Sequence, residues 1–394
     1  MNDYTYYKDS RISGEDSIPF FFTDLPLAGE FLTKDQIDIE KIYPLTLSFC
    51  PKSSSVQVNE IVHADKLFKN YFYKTGDIQT LVDHFREAST DIKRHMPCAK
   101  IMDIGCNDFT FLKNFIGTSD VVLGIDPSDI SKTYQPNGCM LENTFFTAEH
   151  SLKVKKQYGE FDLIFSSNNF AHIENLHDYT EGVANLLSDN GSFVCEVHWV
   201  GTMLQKMQFP FIYHEHMYYH SLKAIIYLLE KHGLYVNDVE RINIHGGSIR
   251  FLASKSEKQT DYVKKFLKEE EDMGLYNLET YKNFARKIEE LKEKSRIFFQ
   301  ESKEKGKTVY GYGASGQANT LMSIFGITKE DLFVIIDDSP LKQGLYTPKN
   351  HILIKDRGFL LESPPDCIYL FAHTFEKEIR GKNKEIKSEW VLPI

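Results

Sequence analysis

The sequence predicts an α/β protein: a central Rossmann-like domain flanked by a small N-terminal domain and a C-terminal Rossmann-like α/β domain. Three observations carry that expectation. Apolar strand-like runs alternate with helical stretches from about residue 98, a single glycine turn follows the first run, and a second strand, glycine turn and helix begin after residue 306. The 394 residues ask for two or three domains, and a hydrophobic share of 42% is enough to core them.

Residues 1–85 hold short apolar pieces, IPFFF and YPLTLSF, broken by polar turns and without βα alternation, as in a small accessory domain. Over 86–255 the grammar changes. AKIMDIG reads as a strand, NDFTFLKNF as a helix start, VVLGID as a second strand, and FDLIFSS and SFVCEVHWV as later ones, which together mean a parallel, doubly wound sheet. From 256 to 394 the chain first shows charged stretches with apolar positions at helical spacing (258–306), one or two amphipathic helices bridging domains. The strand KTVYGYG, a glycine turn, a helix and the strand DLFVIIDD then build the second α/β unit.

Composition excludes several roles. A net charge of -10, with both signs interspersed, offers no basic stripe for nucleic acid. No apolar run approaches the roughly 20 residues of a membrane span, and MNDYTYYKDSRISGEDS has neither a basic start nor an apolar core, so a cytoplasmic protein is expected. Six cysteines without a CxxC pair argue against a disulfide framework and against a thiolate zinc site.

The first candidate site is IMDIGCND, with Asp103, Gly105, Asn107 and Asp108. A lone glycine, in place of GxGxxG, leaves no cradle for a pyrophosphate and suits S-adenosylmethionine, while Asp126 ends the next strand where a carboxylate accepts ribose hydroxyls. Phe109, where a small residue would leave room, is expected either to crowd the ligand or to cap its adenine. Asn168 and His172 follow the strand FDLIFSS, at the sheet end where open α/β folds bind ligands; helix capping or surface exposure would explain His172 equally simply.

YHEHMYYHSL, Tyr213 to Leu222, packs three histidines, a glutamate and three tyrosines into ten residues. Imidazole, carboxylate and phenol together take a proton, orient the group that takes it and donate to the oxyanion that forms, which is what a carbon acid beside a carbonyl requires. The same string also suits a half-buried strand with Tyr213, Glu215 and Met217 on one face.

GYGASG, with Gly311, Gly313, Ser315 and Gly316, satisfies GxGxxG between a strand and a helix, and Asp337 ends the next strand. That geometry serves a diphosphate, including a nucleotide sugar, a nicotinamide dinucleotide, or no ligand at all. Lys342, a little further on, faces phosphate or solvent.

DIGCND, FPFIYHEHMYY, HGGSIR and GYGASGQANTL followed by IDDSPLKQGLYTP, in that order, resemble the nucleotide-sugar C-methyltransferases. The resemblance implies S-adenosylmethionine as methyl donor and a nucleotide-linked sugar, a dTDP-4-keto-deoxysugar methylated at carbon 3, as substrate. It implies His216 as the base at C3, Tyr213 and His172 as donors to the enolate, Glu215 orienting the base or holding a hydroxyl, and Tyr73 or Tyr71 from the end of the first domain, with Tyr73 preferred. By the same resemblance His214 and the GYGASG unit face the nucleotide sugar; either a monomer or a homodimer is expected. Such relatives bind zinc through two CxxC pairs in the first domain; only Cys50 stands here, so no metal is expected, with packing of Phe20, Phe21 and Phe22 or a looser domain in its place. An O-methyltransferase, a nicotinamide-dependent oxidoreductase built on GYGASG, and a non-catalytic nucleotide-sugar-binding protein are the competing expectations.

Overall fold

The computed structural model describes residues 3–67, 74–96 and 98–393. Its centre is a seven-stranded sheet in the order Tyr235–Ile242, Ser248–Ser254, Leu187–His198, Phe161–Ser167, Lys100–Ile104, Val121–Ile125, Met140–Glu142. The last five run parallel and the first two form an antiparallel hairpin at one edge. The strand Val121–Ile125 is apolar throughout because helices cover both faces of a parallel sheet. The helix Gln79–His95 runs through residue 85, the expected domain boundary. It covers one face, its Phe85 ring 6.1 Å from Phe165, on which Phe111 stacks at 3.7 Å.

Where NDFTFLKNF suggests a helix, the chain makes tight turns and only a 3₁₀ turn at Leu112–Phe115. Asn107 and Phe109 adopt φ of 49° and 61°, left-handed values that a regular helix cannot accommodate. The irregular path is stabilised by burial, because it sinks Phe109, Phe111, Leu112 and Phe115 together against the sheet.

The N-terminal unit is a four-stranded antiparallel sheet, Tyr218–Tyr219, Ser55–Val58, Tyr43–Cys50, Ile18–Leu25. Its outermost strand is borrowed from the middle of the chain: Tyr218 pairs with Gln57 and Tyr219 with Val56. Five parallel strands form the C-terminal sheet, with Val309–Tyr312 at its centre. Two amphipathic helices, Asp261–Asp272 and Leu278–Glu304, lie between. The longer one is a brace: Tyr281 stacks on Phe49 of the N-terminal sheet at 5.0 Å, and the Ser295 hydroxyl lies 2.8 Å from that of Tyr369 in the C-terminal sheet. Phe20 packs on Tyr281 and Phe21 is buried, whereas Phe22 is 68% exposed, so the three phenylalanines do not form one cluster. Among the described residues no helix is long and apolar enough to cross a membrane.

Candidate active site

A cavity of about 720 Å³ opens at the carboxyl ends of the central strands, within the ordinary range of ligand sites, about 300–1,000 Å³. Gly105, Asn107 and Asp126 line it from the first two strand ends, Asn168, Asn169 and His172 from the third, and Phe145, Phe146, Met217 and His245 from elsewhere.

Gly105 sits at φ +83°, and a Cβ there would meet the Asn169 side chain at 3.0 Å, so the close approach needs glycine. The Asn107 amide donates to Asp126 Oδ2 at 2.9 Å, and the Ser128 amide donates to Oδ1 at 2.8 Å, which aims the Asp126 carboxylate. Asn107 and Asp108 reach back to the helix-entry turn. The Thr75 amide donates to Asn107 Oδ1 at 3.0 Å and the Gly76 amide to Asp108 Oδ2 at 2.8 Å, so Asp108 fastens the cavity's lip and does not line it. Asp103 is 3% exposed, away from the lining; burial and the neighbouring Asp126 and Glu196 charges push its carboxyl well up, and Oδ1 lacks a partner among the described residues. Phe109 is fully buried in the core below, and neither crowds the cavity nor caps anything within it.

These residues fit S-adenosylmethionine. A glycine cradle and a carboxylate aimed from the second strand end suit a cationic nucleoside. The aromatic rings of Phe145 and Phe146 offer an apolar wall.

Tyr213 to Met217 form a turn, not a strand: the His216 amide donates to the Tyr213 carbonyl at 3.0 Å, which brings the two side chains together. Tyr213 Oη lies 3.0 Å from His216 Nε2, and His216 Nδ1–H donates to the Phe211 carbonyl at 2.9 Å. A carbonyl only accepts, so Nδ1 carries the proton and Nε2 offers its lone pair to the phenol. His216 is 8% exposed, and burial beside His172, His198 and His245 lowers its pKa well below the usual value; it is neutral. The His172 ring lies 5.0 Å from that of His216 and is the member of the pair that lines the cavity. Burial lowers its pKa to about 4, partly offset by a hydrogen bond to the Glu215 backbone, while Nδ1 has no partner among the described residues. Burial pushes the half-buried Glu215 carboxyl up to about 7. His214 turns away, donating from Nε2 to the Pro44 carbonyl of the N-terminal sheet at 3.0 Å. Tyr71 and Tyr73 lie outside the described residues.

The GYGASG turn is packed from two sides. Gly313, at φ +95°, abuts Ala372, where a Cβ would come within 2.6 Å, and Gly316 faces the Ala28 backbone, whose carbonyl accepts from Asn319 Nδ2. Ser315 caps the following helix, Asp337 Oδ2 accepts from the Ala314 amide at 2.8 Å, and Lys342 donates to the Ala314 carbonyl at 2.6 Å. Gly311 packs against Ile335 and Phe371. None of these residues lines the 720 Å³ cavity.

Sequence reasoning passes over one buried constellation. Glu196, fully buried at the end of Leu187–His198, accepts from His84 at 2.8 Å, Arg250 at 2.6 Å and Ser167 at 2.7 Å. Burial opposes its ionisation, but those donors and the Arg250 charge win and hold the carboxyl below its usual value. The signal was a charged residue inside an apolar central strand, which must be paired. His245, the first residue of HGGSIR, lines the cavity and His198 stacks on Phe211 at 4.7 Å; neither was singled out as a site residue because lone histidines carry no spacing.

Three family models match in sequence order: a putative zinc binding domain over 11–68, a methyltransferase domain over 74–239, and a C-methyltransferase C-terminal domain over 243–394. The chain is 29% identical over 384 residues to C-methyltransferase NovU of Streptomyces niveus, covering 95% of this chain and 91% of that protein. Among solved structures, a Pyrococcus horikoshii OT3 protein shares 15% identity over 48% of this chain and 99% of its own (TM-score 0.37). The magnesium protoporphyrin IX methyltransferase of Synechocystis PCC 6803, solved with bound S-adenosylmethionine, shares 14% over 45% and 79% (TM-score 0.33). Sheet, cavity and family models together define an S-adenosylmethionine-dependent methyltransferase. With its three domain matches in that order and a C-methyltransferase relative along nearly its whole length, the chain is similar to the C-methyltransferases in all three of its parts.

Proposed function

We propose that the chain removes the C3 proton of a dTDP-linked 4-keto deoxysugar and methylates that carbon. The observation that carries this reading is the Tyr213–His216–Phe211 hydrogen-bond chain packed 5.0 Å from His172, on the wall of the cavity that also holds Gly105 and Asp126. S-adenosylmethionine supplies an electrophilic methyl on sulfur. The chain's own residues must make carbon nucleophilic.

A proton beside a ketone reaches imidazole only if the enolate oxygen is hydrogen-bonded, each such donor being worth about 3 kcal/mol. Tyr213 donates to that oxygen, and in leaving His216 it frees Nε2, with Nδ1–H still anchored on Phe211, to take the C3 proton. His172, with one nitrogen on the Glu215 backbone and the other unpartnered among the described residues, accepts and does not donate; it holds a sugar hydroxyl. Glu196 and Arg250 keep Ser167 in place at the cavity wall. The nucleotide is assigned to the GYGASG turn, Asp337 and Lys342 by the resemblance alone, since these residues lie outside the 720 Å³ cavity.

The test is a pair of variants assayed with labelled S-adenosylmethionine and a panel of nucleotide-linked 4-keto sugars. His216→Asn should abolish exchange of the C3 proton in deuterated water while calorimetric binding of the methyl donor persists. If exchange survives in His216→Asn and vanishes in His172→Asn, the cavity-lining imidazole is the base. A labelled methyl found on oxygen would overturn carbon as the acceptor.

A further inference from the structure

The match over 11–68 is to a putative zinc binding domain, and two turns, one at its start and one within it, come together. The first carries Ser10 and Ser13, the second Cys50 and Ser53, each pair three residues apart, the spacing with which two turns present four metal ligands. The donors do not fit zinc. A structural site takes four thiolate or imidazole ligands, whereas three of these four positions are neutral hydroxyls. Among the described residues no group of three or more His, Cys, Asp or Glu is placed to hold a metal ion.

What the side chains do instead is bond to one another. Ser13 Oγ lies 3.2 Å from Cys50 Sγ, Ser53 Oγ 2.8 Å from Ser55 Oγ, and Ser55 Oγ 3.3 Å from Ser10 Oγ. Ser10 Oγ also accepts from the amides of Ile12 and Ser13, closing the first turn on itself. Ser10, Cys50, Ser53 and Ser55 are each at most 2% exposed. Burial alone would push the Cys50 thiol up, yet hydrogen bonding from the surrounding hydroxyls, led by Ser13, brings it below its usual value.

We propose that this domain folds without metal, and that a buried thiol–hydroxyl cluster of Ser10, Ser13, Cys50, Ser53 and Ser55 ties its two turns together where an ion would otherwise sit. The cluster bears on the active site through Arg11, which lies inside the first turn. Arg11 donates to the Met217 carbonyl at 2.9 Å and to the Glu174 carbonyl at 3.2 Å, and Met217 and Glu174 both line the cavity. Holding the turns is therefore holding the loops that carry His216 and His172. The proposal is independent of the substrate.

The experiment uses the full-length chain. Metal analysis of purified wild type should find zinc far below one ion per chain, and a strong chelator should leave the melting temperature unchanged. The triple variant Ser10→Cys, Ser13→Cys, Ser53→Cys should bind about one zinc ion per chain and gain a melting temperature that the chelator lowers again. About one zinc in wild type, or a chelator-induced fall in its melting temperature, would overturn metal independence. A folded triple variant that takes up no zinc would overturn the claim that these four positions form a metal-shaped corner. Should the triple variant not fold, the two wild-type measurements still decide the first claim.

Discussion

Glu215 sits between two imidazole-bearing residues, half-buried, with no hydrogen-bond partner among the described residues, and its carboxyl is pushed up to about 7 by burial alone. The folded state therefore keeps a proton that the unfolded chain, titrating near 4.5, has released. Stability should fall as pH rises from about 4.5 to 7 and then level off. Glu215→Gln should remove that slope, gaining on the order of 2 kcal/mol at pH 7 relative to wild type while matching it near pH 4, as denaturant titration at the two pH values would read. The residue types at this site were legible in the sequence, because titratable side chains crowded into ten positions have no packing purpose. Their directions were not. His214, next to Glu215, turns to the Pro44 carbonyl, and Phe109, just after the Gly105 turn, faces the core, because each follows whichever neighbouring element offers it a partner.

At the level of elements, the strand Tyr218–Tyr219 and the Arg11 turn do the positioning. Two residues of backbone pairing with Ser55–Val58 stitch the YHEHM turn to the first domain, and Arg11 then clamps the carbonyls of Val58, Met217 and Glu174 while its guanidinium lies 4.2 Å from the Tyr218 ring. Replacing Arg11 with Met removes a charged donor from three carbonyls, of which Met217 keeps the Val58 amide and Glu174 the Tyr218 hydroxyl, at about 1–3 kcal/mol in all. The expected outcome is a loss of stability in that range, faster amide exchange at 172–175 and 214–217, and a fall in kcat larger than any change in donor affinity. Unchanged exchange in both loops would show that the clamp is not what orders them. A contact between residues about 200 apart in sequence has no local signature, so a surface arginine was the only reading open before the fold was known.

Across the whole molecule, buried neutral histidines are unusually many. Burial lowers the pKa of His172, His198 and His214 to about 4 and of His220 to about 3, against an ordinary 6.5. Between about 6.5 and 4 the unfolded chain binds protons that the native state refuses, so stability is fully present above 6.5 and lost as pH falls. With His216 lowered as well, acid unfolding should be steep, approaching five protons per chain, and replacing His220 with an apolar ring should flatten it by about one proton; proton uptake measured through the transition checks both. The α/β architecture and the Gly105 turn that lines the cavity were written in the sequence, because hydrophobic periodicity and a glycine at a strand end act over neighbouring residues. The pairing of His216 with Tyr213 was half written, since i and i+3 meet only if the segment turns. Glu196 with His84 and Arg250, the serine and thiol corner, and the wall that brings His172 against His216 were decided by tertiary packing alone. Each joins groups far apart in the chain, and what selects such partners is the cost of leaving a polar atom buried and unpaired, a cost that exists only once the fold has closed around it.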